Sequence, residues 1–377
     1  SVPRWDTSLD SLSMLVCLGA NALFYPQGGH VWAYLNWALA FRSAGCEVLW
    51  LESGREDEGP ALRNSVQALA SALAPYGLAD RLIVDTVRPL PDGCAARPIE
   101  AALDADLFVD LAYTAPEVTR AFRRSALIDI DPGSTQMWWS RGDLDLGAYH
   151  TYFTVGEGVS GGQAAVPDCG VRWLHTPPCV DLGSWPPCPA PLKEAAWTTV
   201  THWWGEWDEL AGEPFDNSKA AAFRPVLGMA RRVDVAIELA IGGLDDAAEQ
   251  TMLESRGWRV VDAAAVAATT DDHRRYVQRS RGEFSVAKPL YVELATGWVS
   301  DRTVCYLASA RPALVQDTGA AEFGAGLVAF TRAEDAAVRL QAIEAEYEHH
   351  SAAARALAEE RFAGAVVAPR MLADALS

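Results

Sequence analysis

The feature that most constrains this chain is a break in its pattern between Val166 and Leu192, where seven residues are proline and no periodicity survives. Such composition reads as a linker. Before it, short apolar runs at 13–19, 46–51, 81–87, 106–111 and 126–131 alternate with helical spacing at 31–44, 61–75 and 115–124. After it, runs near 196–202, 233–240, 258–263, 283–287 and 312–316 repeat the arrangement. Uninterrupted apolar runs predict strands buried on both faces, and their alternation with helices predicts parallel sheets. The expected class is therefore α/β, with two doubly wound domains. Their bounds are expected at 1–165 and 193–362, with the linker at 166–192. A last short helix is expected within 363–377. A chain of 377 residues suits two cores of ~100–200 residues each.

The formal charge of −19 disfavours nucleic acid and anionic membrane surfaces, both of which select basic stripes. A small anion is still compatible, because a helix N-terminus with one or two cations makes a local field of its own. The seven cysteines are scattered without a C-x-x-C pair, so neither zinc nor redox chemistry is expected. No apolar run reaches the ~20 residues of a membrane span, and Arg4 is followed by no cleavable apolar segment. A cytoplasmic protein is the expectation. Its N-terminal half lacks the glycine fingerprint of a dinucleotide site after the first strand.

The most informative stretch runs from Glu283 to Gly319. It comprises Gly282-Glu283-Phe284-Ser285-Val286-Ala287-Lys288, Gly297-Trp298-Val299-Ser300-Asp301-Arg302, Tyr306-Leu307-Ala308-Ser309-Ala310-Arg311-Pro312 and Gln316-Asp317-Thr318-Gly319. Ser300 is a good N-cap, and Arg311-Pro312 stops the following helix before an apolar strand. A turn leading into a helix start suits a diphosphate, with Arg302 and Lys288 adding positive charge.

This stretch resembles the donor half-site of GT-B glycosyltransferases, in which two Rossmann-like domains face each other across a cleft; the resemblance implies an acceptor role for 1–165, donor binding by 193–362 and a helix at 363–377 that packs back on the first domain. The resemblance implies transfer of a sugar from a nucleotide diphosphate such as a UDP- or dTDP-sugar, a co-substrate rather than a resident cofactor. It implies that the loop and helix start bind the diphosphate and that Thr318-Gly319 faces the sugar. Two positions depart from the pattern. Ala310 stands where a glycine is usual, and Cys305 stands where retaining relatives carry a ribose-binding glutamate. Glu283 or Asp301 would then have to hold the ribose.

In the first half, Tyr25-Pro26-Gln27-Gly28-Gly29-His30 precedes a helix. It resembles the first GT-B loop in two ways: a histidine that takes the acceptor proton, or a Gly-Gly pair against donor phosphates. His30 is the candidate base, since histidine titrates near neutrality. Asp131, at the end of a strand, is a candidate to orient His30 or to contact the acceptor. Trp203, Trp204 and Gly205 fall on the first loop of the second domain, where an indole face could stack on a base or sugar. Trp298 invites the same role on weaker grounds, and Tyr152 to Gly158 could line the cleft.

Asp-x-Asp spacing occurs only at Asp104 and Asp106, Asp129 and Asp131, and Asp143 and Asp145, all in the first half, so no metal is expected at the donor site. The expected reaction is metal-independent hexosyl transfer to a hydroxyl of a small-molecule acceptor, with natural-product biosynthesis as its setting. Two rivals share the donor site: a nucleotide-sugar epimerase, and a sugar-nucleotide or glycan binding protein without turnover.

Overall fold

The structure, a computed structural model, describes residues 13–377 apart from 54–59, 87–88, 91, 206, 211 and 245. Arg4, the end of the third predicted run at Val87, and Glu206 lie outside the described residues.

Two parallel sheets organise the chain. The strands of the first are β1 (Leu15–Ala20), β2 (Glu47–Ser53), β3 (Leu82–Asp85), β4 (Arg97–Pro98), β5 (Leu107–Asp110), β6 (Ser125–Asp129), β7 (Thr151–Thr154) and β8 (Trp173–His175). Their order is β4-β3-β2-β1-β5-β6-β7-β8. The second sheet contains β9 (Trp197–His202), β12 (Ile237–Gly242), β13 (Arg259–Asp262), β14 (Gly282–Ser285), β15 (Ala313–Gln316) and β16 (Leu327–Phe330), in the order β13-β12-β9-β14-β15-β16. A separate antiparallel hairpin, β10 (Trp207–Leu210) with β11 (Glu213–Asp216), leaves the second sheet after β9.

In each sheet the chain winds one way from the first strand and then the other. The resulting switch points lie between β1 and β5 and between β9 and β14. Open α/β sheets bind ligands at the carboxyl ends of strands flanking such points. The loops after β1, β9 and β14 are therefore the places to look.

Three features depart from the sequence reading. The proline-rich stretch is not wholly a linker, because Trp173–His175 pairs in parallel with Thr154 and its neighbours and forms the edge of the first sheet. Proline is tolerated around an edge strand, where one set of backbone groups faces outward. The expected strand at 233–240 begins only at Ile237, after a short 3-10 turn at Met229–Arg232. The hairpin and β16 had no periodic signal, being four-residue strands of mixed polarity.

The two sheets are joined by packed side chains. The 16-residue helix Gly28–Ser43 buries Val31, Trp32, Leu35, Asn36, Ala38 and Phe41. One continuous apolar cluster runs from this helix to Val304, Cys305 and Leu307 on the helix Asp301–Ala308. Asn36 reaches Cys305, its Nδ2 donating to the sulfur at 3.5 Å. This contact explains the departure at position 305: that face of the helix is turned into the first domain. The last helix, Gly364–Leu376, lies against Gly28–Ser43, and a Cβ on Gly364 would come 2.6 Å from that of Ala40.

Candidate active site

The loops at the carboxyl ends of the two sheets meet, and glycine sets how closely. A Cβ at Gly28 would lie 2.0 Å from the carbonyl oxygen of Thr269, and the Gly28 amide already donates to Ala268 at 3.1 Å. A Cβ at Gly29 would sit 2.8 Å from the His273 ring. Gly28, its amide spent on Ala268 and its Cα against Thr269, thus admits the second domain rather than a phosphate, which corrects its expected donor role, and Gly29 packs on the same domain through His273. Gly156 and Gly158 do the same for the turn at Ala295–Thr296, whose carbonyls would be 2.8 and 2.2 Å from their added Cβ atoms. That is where the Tyr152–Gly158 segment ends.

His30 stands in the first turn of its helix, half-buried. Its Nε2 is 2.7 Å from the Asn21 carbonyl, and a carbonyl can only accept, so Nε2 carries the proton and Nδ1 is the basic nitrogen. The Tyr25 and Tyr34 rings meet the imidazole edge-on at 6.0 and 5.1 Å. Burial pulls its pKa below the usual 6.5, against the opposing pull of the Asn21 hydrogen bond and of Asp301 and Asp131. A ring that is neutral at pH 7 is what a general base requires.

Asp131 does not orient His30. Its Oδ1 accepts from Lys288 Nζ at 2.7 Å and from the Tyr291 hydroxyl, so the carboxylate ties the first domain to the second. Burial raises its pKa, but the Lys288 ammonium and these hydrogen bonds outweigh that and hold it below the ordinary carboxylate range. Lys288 is therefore neutralised in the structure as it stands.

The second-domain residues sort differently from expectation. Ser300 caps its helix, accepting from Arg302 N at 3.2 Å. Arg302 turns away from the cleft: Nε donates to Glu283 at 2.8 Å, Nη1 to the Val200 carbonyl at 2.9 Å and Nη2 to Ser285 Oγ at 2.7 Å. It fastens the helix start to β9 and β14 and contributes no net charge to a ligand. Glu283 is wholly buried in that ion pair and cannot reach a ribose. Asp301 stays half-buried at the helix start, its carboxyl pushed up by burial and held back by Arg302 and His30.

Thr318 is buried and donates to the Trp298 carbonyl at 2.8 Å, while the Gly297 amide donates to the Thr318 carbonyl at 2.7 Å. With Gly319 at φ +79°, packed against Ala295, these two residues shape the loop before the helix. Thr318, being buried, braces the loop instead of facing a sugar, whereas Gly319 stays exposed. Trp203 is 1% exposed and packs on Phe223 in the second core. Gly205 backs onto Ser218, whereas Trp204 keeps half its surface in solvent.

Sequence reasoning passed over Lys219. It follows the hairpin, beginning a short helix behind the Ser218 cap. Its ammonium donates to the Val286 carbonyl and lies 5.9 Å from the centre of the Trp298 ring. Trp298 packs on Tyr291 at 5.0 Å, and Lys288 Nζ lies 5.4 Å from the Tyr291 ring. Two lysines thus flank two packed rings at the switch point of the second sheet. Among the described residues, Lys219 has no carboxylate within ion-pair distance. Burial, followed by the Arg302 and Lys288 charges, pushes its ammonium well below the ordinary range. No motif announces it; only the fold does.

No family model and no curated protein matches the chain by sequence. Among solved structures it is similar to HepE from Anabaena in complex with UDP and glucose, at 14% identity and a TM-score of 0.60, over 96% of this chain and 99% of that one. It is also similar to an alpha-glucosyltransferase in complex with UDP-glucose and DNA containing an abasic site, at 9% identity and 0.59, over 97% and 100%. A third is AviGT4, a glycosyltransferase involved in avilamycin A biosynthesis, at 11% and 0.56, over 96% and 97%. The likeness establishes the fold: two Rossmann-like domains in the GT-B arrangement.

Proposed function

We propose that this protein transfers a sugar from a nucleotide-diphosphate donor to a hydroxyl group of a small-molecule acceptor. The observation that carries this reading is Lys219, a half-buried lysine without a carboxylate partner among the described residues, beside Lys288 at the second switch point. A lysine that burial discourages from ionising gains most from a dianionic ligand, whose charge restores the ammonium. The UDP and UDP-glucose held by the similar folds are ligands of that class.

In this reading the diphosphate lies across Lys219 and Lys288, near the start of the helix Asp301–Ala308, and Trp298 or Trp204 offers a face to the base or sugar. The acceptor oxygen attacks the anomeric carbon, the bond from that carbon to the phosphate oxygen breaks, and the nucleoside diphosphate leaves. His30 Nδ1 receives the hydroxyl proton. The lysines stabilise the charge developing on the leaving phosphate. We assign that role to them rather than to a metal, so turnover should persist in EDTA.

A small acceptor rather than DNA is favoured by the charge of −19 and by the burial of Arg302 in its pair with Glu283. Among the described residues no helix is long and apolar enough to cross a membrane.

The test is a thermal-shift screen with UDP, dTDP and GDP, followed by product analysis with and without acceptor. A ligand at 100 times its Kd should stabilise by about 2.7 kcal/mol. The donor assignment fails if no nucleotide shifts the melting temperature. Conversion of the sugar nucleotide without an acceptor would identify an epimerase, and binding without product would identify a non-catalytic receptor.

A further inference from the structure

Behind His30 lies a buried carboxylate that the proposed reaction does not use directly. Glu52, at the end of β2, is 1% exposed. Its Oε1 accepts from the Ala22 amide at 3.0 Å and from Trp50 Nε1 at 2.7 Å. Its Oε2 accepts from the amides of Ala22 at 2.9 Å and Leu23 at 3.0 Å. Ala22 and Leu23 are themselves buried, so no water can replace Glu52 as the partner of these N–H groups.

The turn that Glu52 holds begins at Asn21, and the Asn21 carbonyl is the acceptor that fixes the proton on His30 Nε2. Tyr34 closes the arrangement, its ring packed edge-on against both His30 at 5.1 Å and Trp50 at 6.2 Å. The Asn21 carbonyl and the Ala22 N–H share one rigid peptide plane, so any movement of that amide moves the carbonyl with it. The tautomer of a histidine is set by the hydrogen bond its other nitrogen makes.

We infer that Glu52 is a positioning residue for His30: by clamping the Asn21–Leu23 turn it holds the Asn21 carbonyl on Nε2 and keeps Nδ1 as the proton acceptor. The inference rests on the proposed role of His30, but its structural half can be read without any turnover.

The decisive variant is Glu52→Gln. Whichever way the Gln amide lies, its NH2 meets the Ala22 N–H, and either Trp50 Nε1 or the Leu23 amide loses its acceptor, so the turn must shift. In protein labelled with 15N-histidine, the His30 signals, identified by their loss in His30→Ala, should report a proton on Nε2 in the unaltered chain and a mixture of tautomers in Glu52→Gln. In the transfer assay, Glu52→Gln should lower kcat ~10-fold or more while the donor KM stays within about twofold, by the logic of a lost orienting group. It should cost nothing further in the His30→Ala background.

An unchanged His30 tautomer, a donor KM that rises as much as kcat falls, or multiplicative losses in the double variant would each overturn the inference. Should Glu52→Gln fail to fold, Glu52→Asp carries the same readouts, since it keeps the charge and withdraws the oxygens from the turn. Full turnover in His30→Ala would instead sink the catalytic reading of His30, leaving the tautomer measurement to judge Glu52.

Discussion

Two parts of the interdomain contact use opposite chemistry. One is dry: Gly28, Gly29, Gly156 and Gly158 let backbone meet backbone, and an apolar cluster continues beneath them. The other is polar: Lys219, Lys288, Asp131, Asp301 and His30 gather where the two switch points face each other. The sequence marks the first with conspicuous glycine pairs and the second with almost nothing. Here the Gly28-Gly29 pair marks domain against domain, and the groups suited to a ligand are lysines that no motif surrounds.

The comparison breaks most sharply at His30. His30→Ala should lower kcat by ~10²–10⁴ with little change in melting temperature, the range for losing a general base. A steady-state assay at saturating donor checks it, and an unchanged kcat would reduce His30 to a helix-end residue. Because its folded pKa lies below 6.5, the base remains neutral and competent above that value, and the acid limb of kcat/KM should fall below pH 6.5.

Lys219→Met comes next. Removing a charge-assisted contact of ~1.5–3 kcal/mol should weaken nucleotide binding ~10–100-fold, measured by calorimetry. Arg302→Met should behave otherwise. It leaves Glu283 buried and unpaired, so the loss should show first in the denaturation midpoint. Equal binding losses with unchanged stability in both variants would restore Arg302 as a donor ligand.

These contrasts show what was legible in the sequence. The α/β alternation was, because a buried parallel strand and an amphipathic helix declare themselves within a dozen residues. The Ser300 cap was, because it is a contact between neighbours. Arg302 was misjudged because its partner Glu283 is 19 positions earlier on another element. Gly28 was misjudged because its neighbour Thr269 lies more than 200 positions away. Trp203 reads as a loop residue until the chain is seen to return through Phe223. Lys219 follows a hairpin of four-residue strands with no apolar rhythm, so nothing local placed it at the cleft. Local chemistry was readable, and long-range packing was not.

The dry region is sharpened by Gly28→Ala. A methyl 2.0 Å from a backbone oxygen cannot be absorbed by a rotamer change, so the domains must part. Overpacking of this kind costs ~1–3 kcal/mol, read as a lower urea midpoint. Nucleotide affinity should follow only as far as the cleft is disturbed. An unaltered midpoint would mean that the junction gives way freely and is not dry packing at all.

The smallest effect belongs to His273, 2% exposed beneath Gly29, with no partner for its Nδ1 among the described residues. Burial, with the Arg302 charge, pushes its pKa to about 3. The folded chain then refuses a proton that the unfolded chain accepts near 6.5. Its contribution to stability is whole above pH 6.5 and is lost as the pH falls toward 3, amounting to about 1 kcal/mol at pH 6 by proton linkage. His273→Leu removes that titration and an orphaned nitrogen together. It should leave stability near pH 8 almost unchanged and flatten the decline between pH 7 and 5. A slope as steep as that of the unaltered chain would show that His273 takes up its proton in the folded state, and that water reaches the junction from which the glycines were inferred to exclude it.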